Sequence, residues 1–375
     1  MENLDIVQVS ADVGPQGVSL YFGLGDGTLA AERTFATRSI TGTPSLAATA
    51  DFNNDGNIDV ATSDGSMLLG NGNDTFQAPV YGFDAPAKVI SISPTDFNVD
   101  GNPDLLVLAS DQEYVYLGNG DGTFQAPLTY SAGSGSAVVL AADFNGDRIP
   151  DLAVADTCIN PSCTEPGIAI LLGVGNGTFE SPTYFSLAFV PQFMVVGDVN
   201  NDGILDLVVA GSDSTSGYIG ILLGNGDGTF QTPIDMVFAQ NFPFGLTISD
   251  FNGDGIQDLA FTSSSGLNVL LGTGDGMFGS PIVTPNVYAG SVRPSDFNGD
   301  GIEDLVVRGS GMLGLQILTG IGDGTFLTPL PLLQFNTVTD VKVARFGSHL
   351  LPDMLVLSDA VYQRPVGIVV NGTKE

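Results

Sequence analysis

Basic residues are nearly missing from this sequence. Its 375 residues include 10 Lys and Arg against 42 Asp and Glu, a formal net charge of −32. Sequence-independent nucleic-acid binding needs clustered cations against the phosphates, and here there are too few to cluster. An anionic membrane surface is disfavoured on the same ground. Tryptophan is absent, tyrosine numbers nine, and His349 is the single histidine, so any Ser/His/Asp or Cys/His catalytic set would have to use it. The two cysteines, Cys158 and Cys163, are not spaced as Cys-x-x-Cys, and no further Cys or nearby His could complete a zinc site. No apolar run reaches the roughly 18 residues of a membrane span, so no membrane insertion is expected. The opening Met1-Glu2-Asn3-Leu4-Asp5 has neither the basic stretch nor the apolar stretch of a signal peptide.

Apolar residues are abundant: 43% of the chain is hydrophobic, with 23 Phe and 50 Gly. Such a chain can bury a large core, which acidic disordered chains cannot. The acid is also not spread evenly. A nine-residue phrase recurs at 51–59, 96–104, 143–151, 198–206, 250–258 and 296–304, with starts 45, 47, 55, 52 and 46 residues apart. A degenerate copy at 345–353 keeps the frame but has lost two of its three carboxylates, and Asp5-Ile6-Val7 reads as the tail of a copy whose front is missing. A second phrase alternates with the first, as in Gly120-Asp-Gly-Thr-Phe124, Gly226-Asp-Gly-Thr-Phe230 and Gly322-Asp-Gly-Thr-Phe326.

Short apolar runs of four to seven residues lie between the phrases, bounded by Gly, Asn, Asp and Pro. They read as strands, and Asp-Gly between two of them signals a hairpin. No segment holds helical spacing. The unit is four strands in 45 to 55 residues, which predicts an all-β chain: a β-propeller of four-stranded antiparallel blades forming a single domain over 1–375. Seven inner-type strands, from near 44–52 to near 338–346, predict seven blades closed by strands from both termini. The middle hairpin occurs eight times, because both ends carry one, and eight blades is the alternative.

The nine-residue phrase carries the chemistry. Asp at positions 1, 5 and 9, Asn at 3 and the carbonyl of 7 offer five oxygens around a tight turn. In chain order these are Asp51, Asn53, Asp55, Asn57 and Asp59; Asp96, Asn98, Asp100, Asn102 and Asp104; Asp143, Asn145, Asp147, Ile149 and Asp151. They continue as Asp198, Asn200, Asp202, Ile204 and Asp206; Asp250, Asn252, Asp254, Ile256 and Asp258; Asp296, Asn298, Asp300, Ile302 and Asp304. A hard divalent cation with flexible geometry and an all-oxygen shell suits this set, which points to Ca2+. Three carboxylates so close would repel without a cation. About six ions are expected, or five if the third loop is silent. There Arg148 stands where the other five loops have Gly, and a left-handed conformation would cost about 1–2 kcal/mol. Six Ca2+ would bring the formal charge from −32 to −20. The acids of the Gly-Asp-Gly turns are read as turn formers, and Phe52, Phe97, Phe144, Phe251 and Phe297 at position 2 as packing between blades.

The phrases Asp250-Phe-Asn-Gly-Asp-Gly-Ile-Gln-Asp-Leu259 and Leu222-Leu-Gly-Asn-Gly-Asp-Gly-Thr-Phe-Gln-Thr-Pro233 resemble the FG-GAP/VCBS repeats related to the propeller at the head of integrin α subunits. The resemblance extends from Asp5 to Thr373. It implies calcium loops joining the first and second strands of each blade on one face of the disc, and assigns liganding to the loop residues named above. It also implies a secreted or cell-surface setting and an adhesion or protein-binding role without catalysis. The partner is an unnamed protein or glycan, and the chain a monomer or part of a larger surface protein. In that setting Cys158 and Cys163, within the insertion 157–166, are expected to form a local disulfide. The alternative is a carbohydrate-binding propeller, weakened by the lack of Trp for stacking on sugar rings.

Overall fold

The computed structural model describes residues 46–327 apart from 74, 111, 133–134, 158–164, 288, 297 and 310–314. Beyond that span it describes 6–10, 17–21, 33–37, 330–333, 338–344 and 353–358. The described elements are strands. Alternating apolar runs cut by Asn, Asp and Gly leave no stretch long enough for helical periodicity, and the chain turns back on itself every few residues.

Six sheets have four antiparallel strands each, in sequence order from the axis outward. The first blade runs Ala47–Ala50, Asp59–Thr62, Ser66–Leu68 and Val80–Tyr81. The second is Val89–Thr95, Asp104–Ala109, Gln112–Tyr116 and Leu128–Tyr130. The third is Ser136–Ala142, Asp151–Asp156, Gly167–Leu171 and Thr183–Ser186. The fourth, fifth and sixth open with inner strands Val190–Gly197, Gly245–Ser249 and Ala289–Ser295. Each inner strand lies against the next, and the last, Val338–Ala344, returns to Ala47–Ala50, so the ring closes.

The blade count departs from expectation. Among the described residues six blades, not seven, are regular and four-stranded. The remaining ring position is a five-stranded sheet of Val338–Ala344, Asp353–Ser358, Ile6–Ser10, Gly17–Tyr21 and Arg33–Ala36. Both chain ends carry a second-strand phrase, Asp5-Ile6-Val7 and Asp353-Met354-Leu355, and among the described residues one inner strand, Val338–Ala344, serves the two. They lie side by side, with Ile6 paired in parallel to Met354. The surplus strand thereby gains a partner instead of an open edge or an eighth blade.

The core sits between blades. The second strand of each blade is buried on both faces, which is why it reads as a continuous apolar run. In the second blade, Leu105 and Val107 pack with Phe52, Ala61 and Met67 of the first. The alternate residues Leu106 and Leu108 face Val139, Leu152 and Val154 of the third. Each such side chain contributes about 1.5–3 kcal/mol on burial. Loop position 2 is Phe52, Phe97, Phe144 or Phe251 at four of the loops, each buried and set edge-on to the Phe of the next blade's Gly-rich turn. The ring centroids of these pairs are 5.7, 5.6, 5.7 and 5.8 Å apart. The expected packing of position 2 between blades is thus seen at four junctions; Phe297 lies outside the described residues.

Candidate metal centres and their latches

Each nine-residue loop joins an inner strand to the second strand of the same blade, so all six stand at the same end of the strands. In the first loop Asp51 Oδ1 and Asn53 Oδ1 both accept the amide of Asp55, at 3.0 and 3.1 Å. Asp51 Oδ2 accepts the Gly56 amide at 2.8 Å, and Asp55 Oδ1 accepts the Asn57 amide at 2.9 Å. The Asn53 side-chain amide donates to Asp55 Oδ2 at 3.0 Å. Two oxygens sharing one amide must lie close together, so positions 1, 3 and 5 converge on the loop interior. The same pattern holds in the second, third, fourth and fifth loops around Asp100, Asp147, Asp202 and Asp254. In the sixth, the Asp300 amide meets Asp296 Oδ1 and Asn298 Oδ1 at 3.2 and 2.8 Å.

This turn demands a left-handed backbone twice. Position 6 has φ between 82° and 87° where it is Gly, and Arg148 takes the same conformation at 69°. The third loop therefore keeps the common turn. The Arg148 amide reaches Asp143 Oδ2 at 2.8 Å as its Gly counterparts do. Position 4 is left-handed as well: Asn54, Val99, Gly146, Asn201, Gly253 and Gly299. The Asn and Gly found at five of these six positions are the signal that sequence reading passed over, since both tolerate this region.

Position 9 plays a different part from positions 1, 3 and 5. Asp59, Asp104, Asp151, Asp206, Asp258 and Asp304 each begin a strand and are almost wholly buried. One oxygen accepts the position-2 amide: Phe52 at 2.9 Å, Phe97 and Phe144 at 2.8 Å, Val199 at 3.0 Å and Phe251 at 2.9 Å. The other accepts the amide of the Gly that opens the blade's Gly-rich turn, from Gly70 at 2.7 Å to Gly320 at 2.9 Å. Burial pushes Asp59 and Asp104 up to about 6, against the pull of those two amides, and the carboxylates at positions 1 and 5 push the same way. Asp151, Asp206 and Asp258 are raised for the same cause.

A further contact ties four of the loops to the next blade. The amides of Gly122, Gly177, Gly228 and Gly324 donate to the position-2 carbonyls of Phe52, Phe97, Phe144 and Phe251 in the preceding blade, at 3.0, 3.3, 3.1 and 3.1 Å. The Asp of the Gly-Asp-Gly turn acts locally. Asp121 accepts the hydroxyl and amide of Thr123, which hold its carboxyl below the usual range, and Asp227 and Asp323 do the same with Thr229 and Thr325.

The donor set fits a hard cation in kind and number, with three carboxylates, an amide oxygen and a carbonyl in each loop. Positions 1, 3 and 5 bring their oxygens toward the loop interior. Among the described residues, no three His, Cys, Asp or Glu side chains are placed closely enough to hold a metal ion. The oxygens are instead turned onto the loop's own amides, and Asp59 and its equivalents are committed to two. Cys158 and Cys163, and 345–352 of the degenerate copy, lie outside the described residues. Among the described residues no helix is long and apolar enough to cross a membrane.

Fold and loops together define a β-propeller with a carboxylate-rich loop at the same corner of successive blades. A sequence profile of FG-GAP-like repeats matches residues 96–154, 198–260 and 250–307, so FG-GAP-like repeats lie within this propeller. Integrin alpha-PS5 of Drosophila melanogaster is 29% identical over 140 residues, 32% of this chain. Integrin alpha-4 of Xenopus laevis is 27% identical over 141 residues, 33% of this chain. The matched region is 14% of the length of each of these relatives. Among solved structures, an Agrocybe aegerita lectin that recognises non-reducing terminal N-acetylglucosamine superposes with a TM-score of 0.59 at 19% identity, covering 88% of this chain and 89% of that one. BBS1N in its complex with ARL6DN gives 0.55 at 14% identity, covering 82% and 87%. At these identities the likeness is one of fold alone.

Proposed function

We propose that this chain is a calcium-stabilised, non-catalytic propeller that works outside the cell as an adhesion or protein-binding module. The observation that supports it is the recurrence of one loop at six positions, each with three Asp and one Asn whose oxygens turn inward. A turn alone needs no such charge. Asp, Asn and Gly serve ordinary turns singly, whereas three carboxylates per loop add repulsion that a bound cation would offset. Positions 1, 3 and 5 and the position-7 carbonyl would hold Ca2+, with the position-9 carboxylate completing the shell. Bound Ca2+ would supply a fixed double positive charge to each loop. Extracellular modules of this kind bind at about 10⁻⁴–10⁻³ M, a concentration met outside cells. The relatives in sequence are integrin α chains, which are extracellular or cell-surface proteins, and that supports the same setting and a protein partner.

Calorimetric titration of Ca2+ into chelator-stripped protein, with melting recorded with and without the ion, tests this. About six sites and a large rise in melting temperature are expected, or five sites if the Arg148 loop is silent. No heat of binding and an unchanged melt would reduce the loops to turns and remove the argument for an extracellular site of action. A second reading, a carbohydrate-binding propeller, is favoured by the fold shared with the fungal lectin and opposed by the absence of Trp. A glycan array on the calcium-loaded protein separates the two.

A further inference from the structure

The junction of the second and third blades carries two buried carboxyls that the acidic loops do not explain. Glu113 stands near the start of Gln112–Tyr116, Ser136 opens the inner strand of the third blade, and Asp156 ends that blade's second strand. These are the strand ends opposite those that carry the loops. Ser136 Oγ lies 3.1 Å from Glu113 Oε1 and 3.5 Å from Asp156 Oδ2. Glu113 and Asp156 have no exposed surface and Ser136 has 4%. Glu113 Oε2 is buried without a hydrogen-bond partner.

One hydroxyl proton cannot serve two carboxylates. The ladder neighbours of Glu113 bring no cation to it. Leu108 lies opposite on one side, and on the other Tyr130, whose hydroxyl donates to the Gly177 carbonyl at 2.9 Å. From the third blade come Ser136 and Asp156, and Asp156 is the charged group that acts on Glu113, with the sign that disfavours ionisation. Burial is the largest cause that raises Glu113 above its ordinary value of 4.5, and the Asp156 charge adds a smaller push the same way. The Ser136 hydroxyl and the amides of Glu113 and Ala132 pull it down, by less.

We propose that Glu113 and Asp156 hold one proton between them, which makes this junction a pH-responsive joint on the face opposite the acidic loops. The proton comes from solvent and resides on Glu113. Its O–H donates to Ser136 Oγ, and the Ser136 hydroxyl donates in turn to the Asp156 carboxylate. Every donor then has an acceptor, and one of two like charges is gone from a dry interface. A carboxyl whose value is raised by folding adds stability that is fully present below its ordinary value and is lost as pH rises through the raised one.

The test is urea unfolding of the full chain in constant excess Ca2+ between about pH 5 and 8, with Glu113→Gln beside wild type. The wild-type unfolding constant should rise with pH by up to about tenfold per unit more than that of the variant, the signature of one proton. The infrared difference spectrum of wild type should hold a protonated-carboxyl band that Glu113→Gln removes. Asp156→Asn should retain the band and titrate it at lower pH, because the repelling charge is gone; this keeps the proposal testable should Glu113→Gln fold poorly. Coincident pH slopes with no band lost would overturn it. So would loss of one Ca2+ from the stoichiometry of Glu113→Gln, which would make the junction a cation site.

Discussion

Positions 5 and 9 of the loop are both Asp, and the structure gives them different work, which the fourth loop can separate. Asp206 is fully buried and accepts the Val199 amide at 3.0 Å and the Gly224 amide at 2.8 Å. Asp206→Ala strands two buried amides at about 1–3 kcal/mol each. Removing a carboxylate whose ionised form burial disfavours returns part of that, leaving a net loss of about 2–4 kcal/mol. Asp202 is exposed and accepts the Ile204 amide at 2.8 Å and the Asn200 side-chain amide at 2.9 Å. Water can replace it there, so Asp202→Ala should cost about 1 kcal/mol or less in the absence of the ion. Urea unfolding in excess chelator and again in excess Ca2+ reads both. Asp206→Ala should lose stability in both media. Asp202→Ala should approach wild type in chelator and fall behind it in Ca2+, with one site fewer by calorimetry. If Asp206→Ala costs no more than Asp202→Ala in chelator, the clamp assigned to position 9 is wrong.

The strain at position 4 can be exchanged between loops. Val99 is 57% exposed with φ at 57°, and Asn201 holds the equivalent place at 63°. Val99→Asn should therefore gain about 1 kcal/mol and Asn201→Val lose about as much, each a shift of about 2 °C in melting temperature. Two shifts of the same sign would show that backbone strain is not what distinguishes the residues. The latch between blades is open to a single methyl group. Gly122 has φ at 81°, its amide holds the Phe52 carbonyl, and an added Cβ would come within 2.8 Å of Leu69 Cδ2. Gly122→Ala should cost about 1–2 kcal/mol and speed amide exchange in both the first and second blades. Faster exchange confined to the second blade would mean the latch carries no coupling.

Strand positions were legible because their determinants are local. The carboxylate at position 9 marks the first residue of every second strand from Asp59 to Asp304, and the Gly-rich phrase fixes the hairpin that follows. The inter-blade role of Phe52 and its equivalents was legible for a related reason: a large apolar side chain recurring beside a polar loop has one place to go. What escaped the sequence depends on partners far along the chain. Nothing local to Asp206 tells that it lies buried against Gly224, since its neighbours read as ligands in the same frame. The Ser136 hydroxyl reaches Glu113 across 23 residues and a blade boundary, at a position where the repeat imposes no residue type. The fate of the terminal strands likewise turned on how many inner strands remained to receive them.

Those long-range contacts also bear on how the loops and the ring depend on each other. The position-2 residue donates its amide to the buried Asp of its own loop, and its carbonyl accepts the Gly amide of the next blade; Phe52 does both, with Asp59 and Gly122. A change in one loop therefore has a covalently short path, a single peptide unit on either side of Phe52, into the neighbouring blade. The fourth loop differs, because Val199 replaces Phe at position 2. The junction of the fourth and fifth blades is instead bridged by another aromatic pair, Phe238 of the fourth blade and Phe261 of the fifth, with ring centroids 5.0 Å apart, and such a pair is worth about 0.5–1.5 kcal/mol beyond its burial. If calcium acts on the ring through these loops, it reaches that junction through the Val199 backbone, whose amide Asp206 holds, and not through a ring at position 2.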